Sequence, residues 1–364
     1  MTTEPKELPM SLKNRILQDI KSLLVMNKTA RPWHLPLLSC FCVGIPALIG
    51  ALLGHFDYGV LGSMGALVVV YLPQTSITHR MLTLVVCSFG FSVCFALGVS
   101  TSFNPFLSAF TLTCIAMLVT VIVRYYALPP PGNMFFIMIA SLATIMPFDL
   151  ALLPMRVGII VLGGMLSCLL AFFYSVYTVQ KTPITDVIPQ GDPNIIAIML
   201  ESAVIACFIG LSYLVALLIG LENPYWVPIS CTAILQGATF RQVWHRQIHR
   251  IIGTAIGLVV AALIFSLPIN QWELALWIFV LQFFIELLIV RNYGLAVIFI
   301  TPLTIIMAGA AMEDMLSERL VYFRLVDITL GSLIGFMGGW VIHHPHFFKK
   351  IEARIRHTRS SAAE

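Results

Sequence analysis

The chain has 364 residues, 59% of them hydrophobic and only 10% charged, against about 25% charged in ordinary soluble domains. A water-soluble fold is therefore excluded, and a bilayer is the solvent to reason with. A formal charge of +4 would suggest an anionic partner in a soluble protein, but in so apolar a chain the placement of charge says more than its sum.

Residues 1–34 are expected to be cytoplasmic. Leu12, Ile16, Ile20 and Leu24 recur at helical spacing, with Lys13, Arg15 and Lys21 elsewhere on the wheel, which predicts an amphipathic helix on the membrane surface. No apolar run of signal-peptide length follows the basic start. Six candidate spans then follow, at roughly 35–53, 58–72, 82–99, 105–127, 133–148 and 155–178, forming a first membrane repeat over 35–178. A Pro-bounded cytoplasmic linker, 179–194, leads to a second repeat over 195–342. Its spans lie at roughly 195–219, 225–238, 251–267, 272–290, 295–310 and 323–342, and a basic cytoplasmic tail, 343–364, closes the chain. The runs at 58–72 and 225–238 fall short of the ~20 residues of a straight crossing. With Gly or Pro in or beside them, they are expected to be broken, tilted or re-entrant.

The halves share their cationic motifs. His79-Arg80 recurs as His249-Arg250, Ile122-Val123-Arg124 as Ile289-Val290-Arg291, and Arg156 with Gly163 as Arg324 with Gly331, each roughly 168 residues later, as a duplicated unit requires. Six spans per half set the repeats in the same sense, about a pseudo-twofold axis along the membrane normal. The expected fold is thus an all-α polytopic membrane protein of about 12 transmembrane or partly re-entrant helices in two parallel six-helix repeats. With both termini inside, every Lys and Arg except Arg156, Arg319 and Arg324 is cytoplasmic, while Asp57, Asp149, Glu222, Glu273, Glu313, Asp314 and Glu318 lie outside. That bias obeys the positive-inside rule.

An ionisable residue inside a span costs about 2.5–3.5 kcal/mol and is a functional candidate by default. Arg324 and its repeat mate Arg156 offer two guanidinium forks suited to a carboxylate. Asp327, three residues after Arg324 on the same helix face, is either its neutralising partner or a proton-coupling acid without an acidic counterpart in the first half. Glu201 has no basic residue one turn away and is a second coupling candidate. Glu286, five residues before Arg291, is a third, although snorkelling or pairing with a loop cation would also account for it. Arg80, Arg124, Arg250 and Arg291 are topology anchors or a cationic ring attracting anions at the inner mouth. Tyr225 and Trp226 are interfacial aromatics or a stacking surface for an aromatic ligand.

Gly253-x-x-x-Gly257 and Gly331-x-x-x-Gly335 are read as close helix contacts. The eight cysteines fall within apolar segments without a CxxC pair and read as small core residues. His343, His344 and His346 read as an interfacial cap rather than a metal site. No HExxH, GxSxG or P-loop is present, so neither an enzyme, a metal nor a cofactor is expected.

The run Asn223-Pro224-Tyr225-Trp226-Val227-Pro228-Ile229-Ser230-Cys231-Thr232, with Gln236, the basic loop Arg241 to Arg250 and Gly253-Thr254-x-x-Gly257, resembles the fusaric acid resistance and aromatic acid exporter family. The first half repeats this pattern more weakly, with Tyr58 and Arg80 but no Trp. The resemblance implies export of aromatic or other organic carboxylate anions across the bacterial inner membrane, driven by the proton motive force, with a periplasmic adaptor subunit. The family is also similar to plant aluminium-activated malate transporters, which implies an alternative, a homodimeric organic-anion channel. Partners are then the small organic anion and the lipid bilayer, with no nucleic acid.

Overall fold

The computed structural model describes residues 26–29, 31–179, 194–309 and 318–344, without the side chains of 179 and 318–322. The expected amphipathic helix, most of the linker, the tail from 345 with His346, and the loop acids Glu313 and Asp314 lie outside the described residues. So do the side chains of Glu318 and Arg319.

Every regular element among the described residues is helical. The first half contains α1 (His34–Leu52), α2 (Phe56–Ala66, continued by a 3-10 turn Leu67–Tyr71), α3 (Ile77–Thr101), α4 (Pro105–Tyr125), α5 (Met134–Ala143) and α6 (Leu153–Val179). The second contains α7 (Ile195–Ile219), α8 (Trp226–Leu235), α9 (Phe240–Phe265), α10 (Gln271–Leu288), α11 (Tyr293–Gly309) and α12 (Glu318–Ile342). Eight are long and apolar enough to cross a membrane, and the short ones are α2, α5, α8 and α11, the second and fifth of each half. At 1.5 Å per residue the ten residues of α8 reach about 15 Å, half of a ~30 Å hydrocarbon core.

Such half-helices leave backbone groups at membrane depth, which is tolerated only inside protein. All ten residues of α8 are accordingly buried. The lipid-ward surface is instead made by long helices, whose outward faces carry Phe89, Leu162, Leu218 and Leu263. Helix ends are set locally. Asn104 caps α4 through Phe106 N–H and Leu107 N–H, Asn270 and Glu273 form a capping box on α10, and Gly220, at φ 76°, ends α7 in the left-handed region.

Packing repeats with the motifs. Within the first half α2 packs on α1 and α6, and α3 on α5 and α6; within the second α8 packs on α7 and α12, and α9 on α11 and α12. The seams between halves match as well, α4 lying on α7 and α10 on α1. Other contacts lack a counterpart in the repeat. Half-helix α5 packs on α8, where Gln236 donates to the Pro131 carbonyl at 2.6 Å.

Two expectations need correction. The basic stretch Arg241 to Arg250 is not a loop, because α9 begins at Phe240. Val243, Gln247, Arg250 and Thr254 fall on one buried face, so a run that is polar by composition still winds as helix once its polar heads find partners inside. Cys114 and Cys207 are exposed on the outer surface rather than in the core, whereas Cys40, Cys42, Cys94 and Cys231 are buried as expected.

Candidate functional site

The site is built where α8 meets α12. A Cβ at Gly331 would run into the Val227 carbonyl and Ser230, and one at Gly335 would meet the Cys231 carbonyl. The small residues therefore let the α8 backbone settle onto α12, as their spacing predicts. Gly163 does the same for Gly62 on α2, which gives the repeated Arg-x6-Gly motif its structural reason. This close approach brings the buried N-terminal end of α8, with Tyr225 and Trp226, against Arg324.

Arg324 lies over the Trp226 indole, its guanidinium carbon 3.0 Å from the ring centroid, and its Nη2 donates to Thr304 Oγ1 on α11 at 2.6 Å. Its Nε has no partner. Asp327 is fully buried, and neither carboxylate oxygen accepts a hydrogen bond. The neutralising pair allowed by the sequence is thus not formed at hydrogen-bond distance. Arg324 and Glu222 nevertheless lie within electrostatic reach of Asp327, and Tyr225 and Arg250 within that of Arg324.

Arg250 enters the same region from α9. Its side chain is 6% exposed, with Nη2 donating to Ser230 Oγ at 3.1 Å and Nη1 to Tyr293 Oη at 3.3 Å. One turn earlier, Arg246 donates to the Ala233 carbonyl at 3.1 Å and sits 5.2 Å from the Tyr293 ring centroid. The first half has no such assembly. Arg80, equally buried, donates to Ser175 and Thr178 on α6 rather than to α2. Arg156 donates to the Pro147 carbonyl at 2.9 Å and is not among the charged groups that reach Arg324. Arg80 and Arg250 are therefore buried inside the bundle. A buried guanidinium needs fixed acceptors in place of water, and each has found hydroxyls.

Glu201 and Glu286 take up seam positions. Glu201 on α7 is ion-paired with Arg124 on α4, a partner remote in sequence. Glu286 on α10 is paired with Arg31, Nη2 to Oε2 2.7 Å. The two equivalent seams thus each carry one arginine–glutamate bridge with the charges exchanged, Arg31 lying just ahead of α1. Arg291 contributes a backbone carbonyl that accepts from Asn27 N–H at 3.0 Å. At the far end of α12, a His343 ring nitrogen approaches the Gly237 carbonyl at 3.2 Å, as an interfacial cap would.

Thr304, Tyr293 and Arg246 are not marked as site residues by the sequence, and Ser230 enters only within the run Asn223 to Thr232. The i, i+4 spacing of Arg246 and Arg250 was the available signal, since it places both on one face. Nothing in the sequence distinguishes Thr304 from other membrane threonines.

Residues 206–338, which include Trp226, Arg250, Arg324 and Asp327, match the family described as fusaric acid resistance protein-like. The chain is also similar to the uncharacterized membrane protein YvaC of Bacillus subtilis (strain 168), at 21% identity over 489 aligned positions that cover 94% of this chain and 78% of that protein. No solved structure matches. The likeness to plant malate transporters remains an implication of the motifs alone. Over the half that holds the buried Arg324–Trp226 pair, the chain is a membrane protein similar to the fusaric acid resistance protein-like family.

Proposed function

We propose that the protein exports aromatic or other organic carboxylate anions across the bacterial inner membrane, with both termini cytoplasmic and the proton motive force as its energy source. The observation that carries this reading is Arg324 stacked on Trp226 beside the unpaired, fully buried Asp327. A guanidinium presents a planar fork to a carboxylate, and the indole offers a flat face to an aromatic ring. A planar acid entering here would take the cation that now lies on Trp226.

Asp327 supplies the coupling in this reading. An ionised carboxylate without a hydrogen bond is costly in a non-polar interior, so its charge must change in step with the charge on Arg324. Protonation of Asp327 would then release Arg324 for the substrate, which links the proton on one residue to the anion on the other. A periplasmic adaptor subunit and a second copy of the chain are the partners this reading brings with it. The test is flux of hydroxybenzoate through purified protein in liposomes, with and without a pH gradient. Flux that ignores the gradient would instead support the organic-anion channel, a reading favoured by the further arginines inward of Arg324.

A further inference from the structure

The arginines of the second half contact α8 at successive turns. Arg324 lies on Trp226, Arg250 bonds Ser230, and Arg246 bonds the Ala233 carbonyl and Gln236 Oε1. Contacts three or four residues apart are about one turn, or ~5 Å, apart along a helix. Arg250 is within electrostatic reach of both its neighbours, and Tyr293 touches Arg246 and Arg250 at once.

Like charges so close in a buried setting repel, and nothing among the described residues neutralises them by a direct ion pair. Asp327, the acid within electrostatic reach of Arg324, has both oxygens unpaired. The Nε atoms of Arg250 and Arg324 and the Oε1 of buried Gln247 also lack partners. A row of cations along the buried half-helix α8, two of them with an unused donor, is an arrangement an anion would stabilise. The equivalent face of α2 has no such row. Ser76 stands where Arg246 does in the second half, Arg80 turns to α6, and Arg156 is spent on a loop carbonyl.

We infer that anions cross the protein along α8, passing between Arg246, Arg250 and Arg324, so that the conduction path runs inside the second half and not down the pseudo-twofold axis between two equivalent halves. The inference rests on the reading that the protein moves anions, coupled or not. It adds Arg246, Ser230 and Tyr293 to the path and gives the first half a scaffolding role.

The test uses thiol chemistry, which does not depend on knowing the substrate. Ser230→Cys and Ser175→Cys place a thiol beside Arg250 and Arg80 respectively. The full-length protein in nanodiscs, with Cys231→Ala to remove the adjacent thiol, is treated with an anionic or a cationic methanethiosulfonate, and modification at each position is read from fragment ions by mass spectrometry, which separates it from the other native cysteines. Rates are divided by those of the same reagents on free cysteine. The inference predicts that the Ser230→Cys thiol favours the anionic reagent by about ten-fold, as an electropositive cleft does. Benzoate should slow that reaction, Arg246→Gln should reduce the preference several-fold, and Arg80→Gln should leave it unchanged. The Ser175→Cys thiol, beside Arg80 alone, should show a preference several-fold smaller. Equal behaviour of the two thiols, or no reaction at Ser230→Cys, would overturn the path. A selective reaction at Ser230→Cys in a protein that moves no carboxylate in liposomes would leave the path standing and sink the proposed function instead.

Discussion

The guanidinium of Arg324 lies 3.0 Å from the centre of the Trp226 ring while Asp327, three residues on in the same helix, goes without a hydrogen bond. A cation has chosen an aromatic face and a threonine over a neighbouring carboxylate. A desolvated cation–π contact is worth about 2 kcal/mol or more and a hydrogen bond from a charged donor about 1.5–3 kcal/mol. Together they hold the arginine ready without committing it to an ion pair that a substrate would have to break.

Arg324→Ala is expected to lower carboxylate transport by at least ten-fold, and Arg324→Lys to lower it nearly as far, because an ammonium neither forks nor stacks as a guanidinium does. Trp226→Leu should raise the substrate KM by up to about ten-fold, the equivalent of ~1.4 kcal/mol of ring stacking, with Trp226→Phe intermediate. Arg156→Ala, whose parent side chain is engaged with the Pro147 carbonyl, should stay within about two-fold of wild type by the same site argument. Initial-rate measurements in liposomes check all four.

Asp327→Asn keeps the shape of the buried side chain and removes its ability to carry charge. Transport driven by a pH gradient should fall to the level of passive exchange in this variant, while substrate quenching of Trp226 fluorescence persists. A proton dependence left intact would move the coupling role to Glu201.

The two seam bridges differ in burial, and so in what their loss should cost. Arg124 and Glu201 are each about one-third exposed, at 34% and 31%, and such pairs contribute about 1 kcal/mol or less. Glu286 is 6% exposed against 24% for Arg31, and removing one member of a buried pair costs up to about 3 kcal/mol. Glu286→Ala should therefore lower the melting temperature in detergent more than Glu201→Ala. Exchanging Arg124 and Glu201 should restore most of what either single change loses.

Gly331→Ala tests how the site is assembled. A methyl group there collides with the Val227 carbonyl and Ser230, and overpacking of this kind costs about 1–3 kcal/mol. Because the displaced element is α8, Trp226 quenching by substrate should weaken as well. Gly158→Ala, on a glycine with open space around it, should change neither stability nor quenching.

Much of the architecture was legible in the sequence because bilayer thickness and the repeated motifs leave few alternatives. The short runs at 58–72 and 225–238 became the half-helices α2 and α8, and the repeated Arg-x6-Gly motifs became α6 and α12 with their glycine contacts. The basic stretch before Gly253 misled because hydropathy averages over a window, whereas burial acts on one face. Arg246 and Arg250 point into the bundle while Arg241 stays out. The partners of Glu201 and Glu286 were hidden for another reason. Arg124 and Arg31 meet them across seams formed by helices distant in the chain, and one sequence carries no record of such pairing.

The central claim is that Arg324 binds a carboxylate and that its movement is tied to protons. The most direct measurement is uptake of radiolabelled hydroxybenzoate into proteoliposomes under an imposed pH gradient, beside an Arg324→Ala control. Uphill accumulation that collapses when the gradient is dissipated, and is absent in the variant, is the predicted result. Accumulation in the variant equal to wild type, or flux in the wild type that never exceeds equilibrium, would contradict it.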